Sequence, residues 1–128
     1  MNAGQCPLAA GVRVLVETGA GVGSGFSDED YRGAGAEIMD GPDGVFEGAT
    51  TILKVKEPLP AEFHRFREGQ TLFTYLHLAA NPAVADLLMK KGITSFAYEN
   101  VVVGNQLPLL QPMSEIAGRM AAIVGAYY

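Results

Sequence analysis

Two neighbouring lysines, two histidines and one glycine-rich turn are the residues here whose types and spacing could do chemistry. The stretch "LKVKEPLP" (53–60) breaks an apolar, strand-like run with Lys54 and Lys56 just before a Glu-Pro stop. Lys90 and Lys91 are the only other lysines, so two cations at one strand end call for a reason. An ammonium supplies a point charge for a carboxylate or a polarised carbonyl. The next strand-like run, "QTLFTYLHLA" (70–79), carries His77 near its end, and an imidazole can donate or take a proton near neutral pH. Ligands of open α/β sheets bind outside the carboxyl ends of the strands. Paired strands lie about 5 Å apart, so Lys56 and His77 could both reach one small keto or amino acid. Blander readings stay open. Lys56 can be a strand-end lysine snorkelling to Glu57, and His77 a satisfied core histidine. His64, in "EFHRFRE", reads as a helix-surface residue.

The turn "GAGVGSG" (19–25) follows a strand-like run and precedes a helix, as a dinucleotide loop should. Its spacing fails: with Gly19 and Gly21 in place, the third glycine position is Ser24. Asp28, Glu29 and Asp30 then open the following helix and would repel a pyrophosphate at its N-terminus. A flexible turn is the better reading. Ser24 is no nucleophile elbow, because Val22 and Phe26 stand where the flanking glycines belong. Cys6, His64 and His77 lack metal-ligand spacing, so no metal is expected.

The elements that must position Lys56 and His77 alternate at short spacing. Strands are expected at 12–18, near 37–40, at 51–57, 70–79 and 93–102. Ser27 caps a helix that stops by Gly33 or Gly35. Residues 42–49 read as a loop or helical turn. Pro60 opens a short helix that Gly69 closes, and Asn81-Pro82 opens another that ends at Gly92. "MSEIAGRMAAIVGAYY" forms the last helix. Several strands read as near-continuous apolar runs, which indicates a mainly parallel sheet covered on both faces. The expected fold is a three-layer α/β sandwich of the flavodoxin-like type.

The bulk properties agree. The 128 residues, 48% hydrophobic and 18% charged, suit one globular domain. A net charge of −5 offers no basic stripe for nucleic acid. A single cysteine fits a reducing compartment. No apolar run approaches the roughly 18 residues of a membrane span. No secretory leader pattern is seen, so a cytoplasmic location is expected.

At these residues the chain resembles the N-terminal, substrate-binding domain of NAD-dependent alanine dehydrogenases. The matching stretches are "VLVETGAGVGSGFSDEDY", "ILKVKEPLP", "REGQTLFTYLHLAANP" and "LPLLQPMSEIAGRMA". They run from about Gly11 to the end. The resemblance implies an oxidoreductase that interconverts L-alanine with pyruvate and ammonia, using NAD. It implies that Lys56 binds the substrate's carboxylate or carbonyl oxygen, and that His77 contacts the substrate oxygen and serves in proton transfer. Ser114 of "PMSE", with Met113, is implied at the cleft edge against the nicotinamide cofactor. Lys54 is then solvated scaffold.

Transhydrogenase α subunits share the implied fold and the glycine turn, but lack the histidine of "YLHLA" and the "KVKEP" wording. Two departures stand out. The family begins with another strand and a loop whose arginine also binds the carboxylate, where this sequence has "MNAGQCPLAAG" and no arginine before Arg13. Its Rossmann domain lies outside these 128 residues. The expectation is therefore a fragment, residues 1–128, lacking the first strand and the NAD-binding domain. Its missing parts come in cis or from another chain, as a homo-oligomer or with a full-length relative. The alternatives are a non-catalytic remnant or association module that binds small carboxylates, and a transhydrogenase-like nucleotide module.

Overall fold

The computed structural model describes residues 11–128. The expectations that a first strand is missing before Val12 and that Cys6 is unpaired fall on residues 1–10, outside the described residues. The chain divides into two compact units, with the boundary between Ile52 and Leu53.

In the first unit β1 (Leu15–Glu17) and β2 (Glu37–Met39) pair in parallel, Val16 beside Ile38. Arg13 forks onto Glu37 through two 2.8 Å bonds at the start of that ladder. The helix α1 (Asp28–Gly33) joins the two strands. Its start is doubly closed: Ser27 Oγ accepts from the Asp30 N–H, and the Asp30 carboxylate accepts from the Ser27 N–H at 2.7 Å. This reciprocal box satisfies donors that a helix N-terminus otherwise leaves open. The helix α2 (Pro42–Gly48) takes Pro42 in its first turn, where the missing N–H costs nothing, and buries Phe46. The stretch read as a loop or turn is thus a two-turn helix.

A second sheet runs in the order β3-β4-β5, with β3 (Thr51–Leu53), β4 (Thr71–Thr74) and β5 (Thr94–Ala97). The pairing of β4 with β5 is parallel, Phe73 beside Phe96. Beyond β3 the chain keeps running along β4: Lys54 N–H donates to Phe73 O at 3.1 Å and Tyr75 N–H to Val55 O at 3.2 Å. Leu72 and Thr74 are fully buried, and Phe66, Tyr75, Leu76 and Ile93 are buried with them. A 3-10 turn at Pro60–Arg65 stands where a short helix was expected. The helix α3 (Pro82–Lys90) buries Val84, Leu87 and Leu88, the 3-4 spacing of one helical face. A last helix, α4 (Gln111–Tyr127), has no buried residue among those described.

The α/β class with parallel strands is as expected, and the short strand near 37–40 is present. The strands themselves are shorter than the apolar runs that announced them. After Thr74 the backbone leaves the extended region and reaches a 3-10 turn at Leu78–Ala80, and after Ala97 another forms at Tyr98–Asn100. Hydrophobicity continues past both exits because Tyr75 and Leu76 are buried while no longer in a strand. Among the described residues the strands also form two sheets, β1-β2 and β3-β4-β5.

Candidate functional site

Lys54, Lys56, His77, Met113 and Ser114 lie in the second unit, each following β3, β4 or β5 in the chain. The two lysines of "LKVKEPLP" part company there. Lys54, expected to be solvated, is instead mostly buried and bonds Glu62, with 22% and 20% of the two side chains exposed. The other Glu62 oxygen accepts from the Leu59 N–H at 2.7 Å. Burial works to raise the Glu62 carboxyl, but these two donors outweigh it and hold its pKa below the ordinary value. Lys56 is exposed. Its carbonyl is fixed by the Thr74 hydroxyl at 2.8 Å, while its ammonium has no partner among the described residues. Pairing with Glu57 does not occur: Glu57 Oε2 is buried and unpartnered among the described residues.

His77 is exposed, not a core residue. It occupies the left-handed region at φ 47°, ψ 40°, the only non-glycine residue with positive φ among those described. Such a conformation costs an L-residue roughly 1–2 kcal/mol. Local bonds hold it. His77 O accepts from Ala80 N–H at 3.0 Å and from Asn81 Nδ2 at 3.3 Å. The His77 N–H donates to Glu99 Oε1 at 3.0 Å, and the Leu76 N–H reaches the same carboxylate at 3.2 and 3.3 Å. Asn81, expected as a helix cap, makes no side-chain cap bond and spends its amide on His77 instead.

Glu99 was not singled out by the sequence. It lies just past β5, half-buried. Burial works to raise its carboxyl, but the backbone N–H groups of His77, Glu99 and Leu76 outweigh that, and the His77 charge adds to them; the net shift is downward. A lone acid inside the apolar run "FAYENVVV" was the available signal.

Tyr75 ties in the rim. Its hydroxyl donates to the carbonyl of Leu109, just before α4. Its ring meets Tyr98 edge-on at 5.1 Å, and Tyr98 meets Phe73 at 4.3 Å. Met113 and Ser114 follow in the first turn of α4, both exposed. Ser114 Oγ donates back to Leu110 O at 3.3 Å. The structure thus brings the ends of β3, β4 and β5 and the start of α4 into one set of bonded segments, carrying Lys56, His77, Glu99, Met113 and Ser114. His64 is exposed on the turn at 60–65 and bonds to none of these segments. A shallow depression between that turn and α3, lined by Phe63, Asp86, Leu87 and Lys90, includes none of the site residues.

The glycine turn of the first unit has its own occupant. Asp28 accepts from the Thr18 hydroxyl at 2.6 Å and from the Gly19 N–H at 2.8 Å. The Gly19 N–H and the Thr18 hydroxyl are thus spent on a carboxylate of the same chain.

The chain is thus an α/β module with parallel strands, in which an unpaired lysine and an exposed histidine follow β3 and β4. A family model described as alanine dehydrogenase/PNT, N-terminal domain, matches residues 7–117, and the chain belongs to that family. It is 59% identical over 121 residues to the alanine dehydrogenase of Bacillus subtilis (strain 168), covering 94% of this chain and 32% of that protein. It is 54% identical over 119 residues to the alanine dehydrogenase of Mycolicibacterium smegmatis, covering 92% of this chain and 32% of that protein. Among solved structures an L-alanine dehydrogenase matches with a TM-score of 0.84 at 46% identity, over 94% of this chain and 33% of that one. A transhydrogenase from Sinorhizobium meliloti matches with a TM-score of 0.78 at 30% identity, over 94% and 37%. The chain therefore spans about a third of the length of the relatives it matches. Among the described residues no helix is long and apolar enough to cross a membrane.

Proposed function

We propose that these 128 residues are the substrate-binding domain of a cytoplasmic alanine dehydrogenase, working with an NAD-binding domain that lies outside them. The observation that carries this reading is the contrast between the two lysines. A chain that neutralises Lys54 with Glu62 yet leaves Lys56 unpaired beside the carboxyl ends of its strands keeps a cation for something else. Lys56 binds the carboxylate or carbonyl oxygen of L-alanine or pyruvate as a point charge. His77, exposed and with a fixed backbone, contacts the substrate oxygen and holds or releases a proton there. Relatives at 54–59% identity named alanine dehydrogenase support the substrate class.

The cofactor fits this chain only at an edge. The glycine turn does not suit a pyrophosphate, since Asp28 already takes the Gly19 N–H and the Thr18 hydroxyl. Met113 and Ser114, exposed at the start of α4, are the residues that would touch the nicotinamide end. When bound, NAD supplies the hydride acceptor.

The test is calorimetric titration of the chain with pyruvate. Lys56→Ala should weaken binding roughly ten- to a hundredfold, the worth of one charge-assisted bond, and His77→Ala should weaken it as well. Pyruvate binding unaffected by both substitutions would refute the site. Tight binding of a nucleotide with none of pyruvate would favour the transhydrogenase-like reading instead.

A further inference from the structure

Glu99 does unusual work for a surface-edge acid. Its carboxylate accepts from two consecutive backbone N–H groups, those of Leu76 and His77, where β4 has ended. Two consecutive N–H groups on one acceptor fix the peptide planes on either side of Leu76, and the second of these planes is the one from which the φ of His77, 47°, is measured. The side chain that must meet substrate thus depends on a backbone conformation that histidine does not favour. His77 O is held from the other side by Ala80 and Asn81, but those bonds lie on the turn that follows and do not reach its N–H. Among the described residues, Glu99 is the group that accepts from it.

We propose that Glu99 is the positioning residue of the site, holding His77 in its left-handed conformation and aiming the imidazole at the ligand. This rests on the proposed role of His77 in substrate binding. Glu99 itself touches no substrate. It acts through the backbone of its neighbour, as a support that locks a functional side chain in one geometry.

Two measurements on the 128-residue chain test it. The first is independent of any ligand: the Cα and Cβ shifts and the amide–Hα coupling of His77 report its backbone angle by NMR. In Glu99→Ala these should leave left-handed values, and the Leu76 and His77 amides should exchange about tenfold faster. The Leu72 and Phe73 amides, in the β4 ladder, should be unchanged. Glu99→Gln, which keeps an acceptor oxygen, should restore most of the left-handed signature. A His77 that stays left-handed in Glu99→Ala overturns the proposal. So does one that leaves it only because the Leu72 and Phe73 amides lose protection too.

The second measurement is a double-mutant cycle on pyruvate affinity. Glu99→Ala should weaken binding in the wild-type background and add nothing in His77→Ala. Additive losses would overturn the positioning role. If the wild-type chain binds no pyruvate, the proposed function falls while the NMR comparison still decides for or against Glu99.

Discussion

Replacing Lys54 and Lys56 one at a time by methionine should separate stability from binding. Methionine keeps most of the aliphatic stem and removes the charge. For Lys54 the structure bounds the cost from two sides. Exposed ion pairs contribute about 0–1 kcal/mol, whereas removing one partner of a fully buried pair costs roughly 3–5 kcal/mol. Lys54 and Glu62 are about four-fifths buried, 22% and 20% exposed. Without Lys54, Glu62 Oε1 loses its hydrogen-bond partner, while Oε2 keeps the Leu59 N–H. A loss of about 2 kcal/mol follows, within the range for a charge-assisted bond. For a chain of this size that lowers the melting temperature by roughly 6–10 °C. Lys56→Met breaks no bond among the described residues and should stay within about 0.5 kcal/mol of wild type, while pyruvate affinity falls at least tenfold. Acid supplies a second check. The Glu62 carboxyl is held below its ordinary value of 4.5 in the folded chain, so its contribution is present above that pH and lost as pH falls through the lower folded value. The gap between wild type and Lys54→Met should therefore close in acid. Thermal melts followed by circular dichroism at neutral and acid pH measure both effects. If Lys56→Met destabilises as much as Lys54→Met, the division of labour between the two lysines is wrong.

Three further outcomes are expected. The purified 128-residue chain, given L-alanine and NAD at alkaline pH, should form no reduced cofactor by absorbance. Hydride transfer needs both reactants held at near-attack distance, and Asp28 closes the glycine turn; turnover that vanishes in His77→Ala would contradict this. In Gly21→Ala the added Cβ would lie 2.5 Å from Tyr31 Cε2 and 2.8 Å from Phe26 O, so a loss of about 1–3 kcal/mol is expected in denaturant titration. Ser27→Ala removes one half of the box that closes α1 and should cost about 1 kcal/mol by the same assay. An unchanged midpoint in either variant would argue against the packing or the cap.

Local chemistry was the legible part of this sequence. Ser27, Pro82 and Gly92 mark helix ends because cap and turn preferences act over three or four residues, and the structure has helices where they say. The acids after the glycine turn were read as hostile to phosphate; the structure adds that Asp28 fills the turn. Strand length was harder. The run 70–79 is apolar almost throughout, but β4 stops at Thr74, since burial of Tyr75 and Leu76 does not require extended backbone. Whether His77 faced inward was undecidable for the same reason: alternation cannot predict a side chain whose residue leaves the strand with positive φ. Glu99 stood out only as a lone acid in an apolar run, and its task could not be read because it is defined by a neighbour 22 residues earlier in the chain.

Where β4 and β5 part, a carboxylate stands in for the backbone carbonyl that a longer ladder would have provided. The remaining rungs of this sheet join amide to amide and are indifferent to acid. The terminal one is titratable. The Glu99 carboxyl is depressed in the folded chain, so the rung is whole above the ordinary carboxylate range and dissolves as pH falls through the lower folded value. Acid should therefore unzip this sheet from the end that carries His77, loosening His77 before Leu72 and Phe73 lose protection, and local opening of that kind is separable from global unfolding by hydrogen exchange.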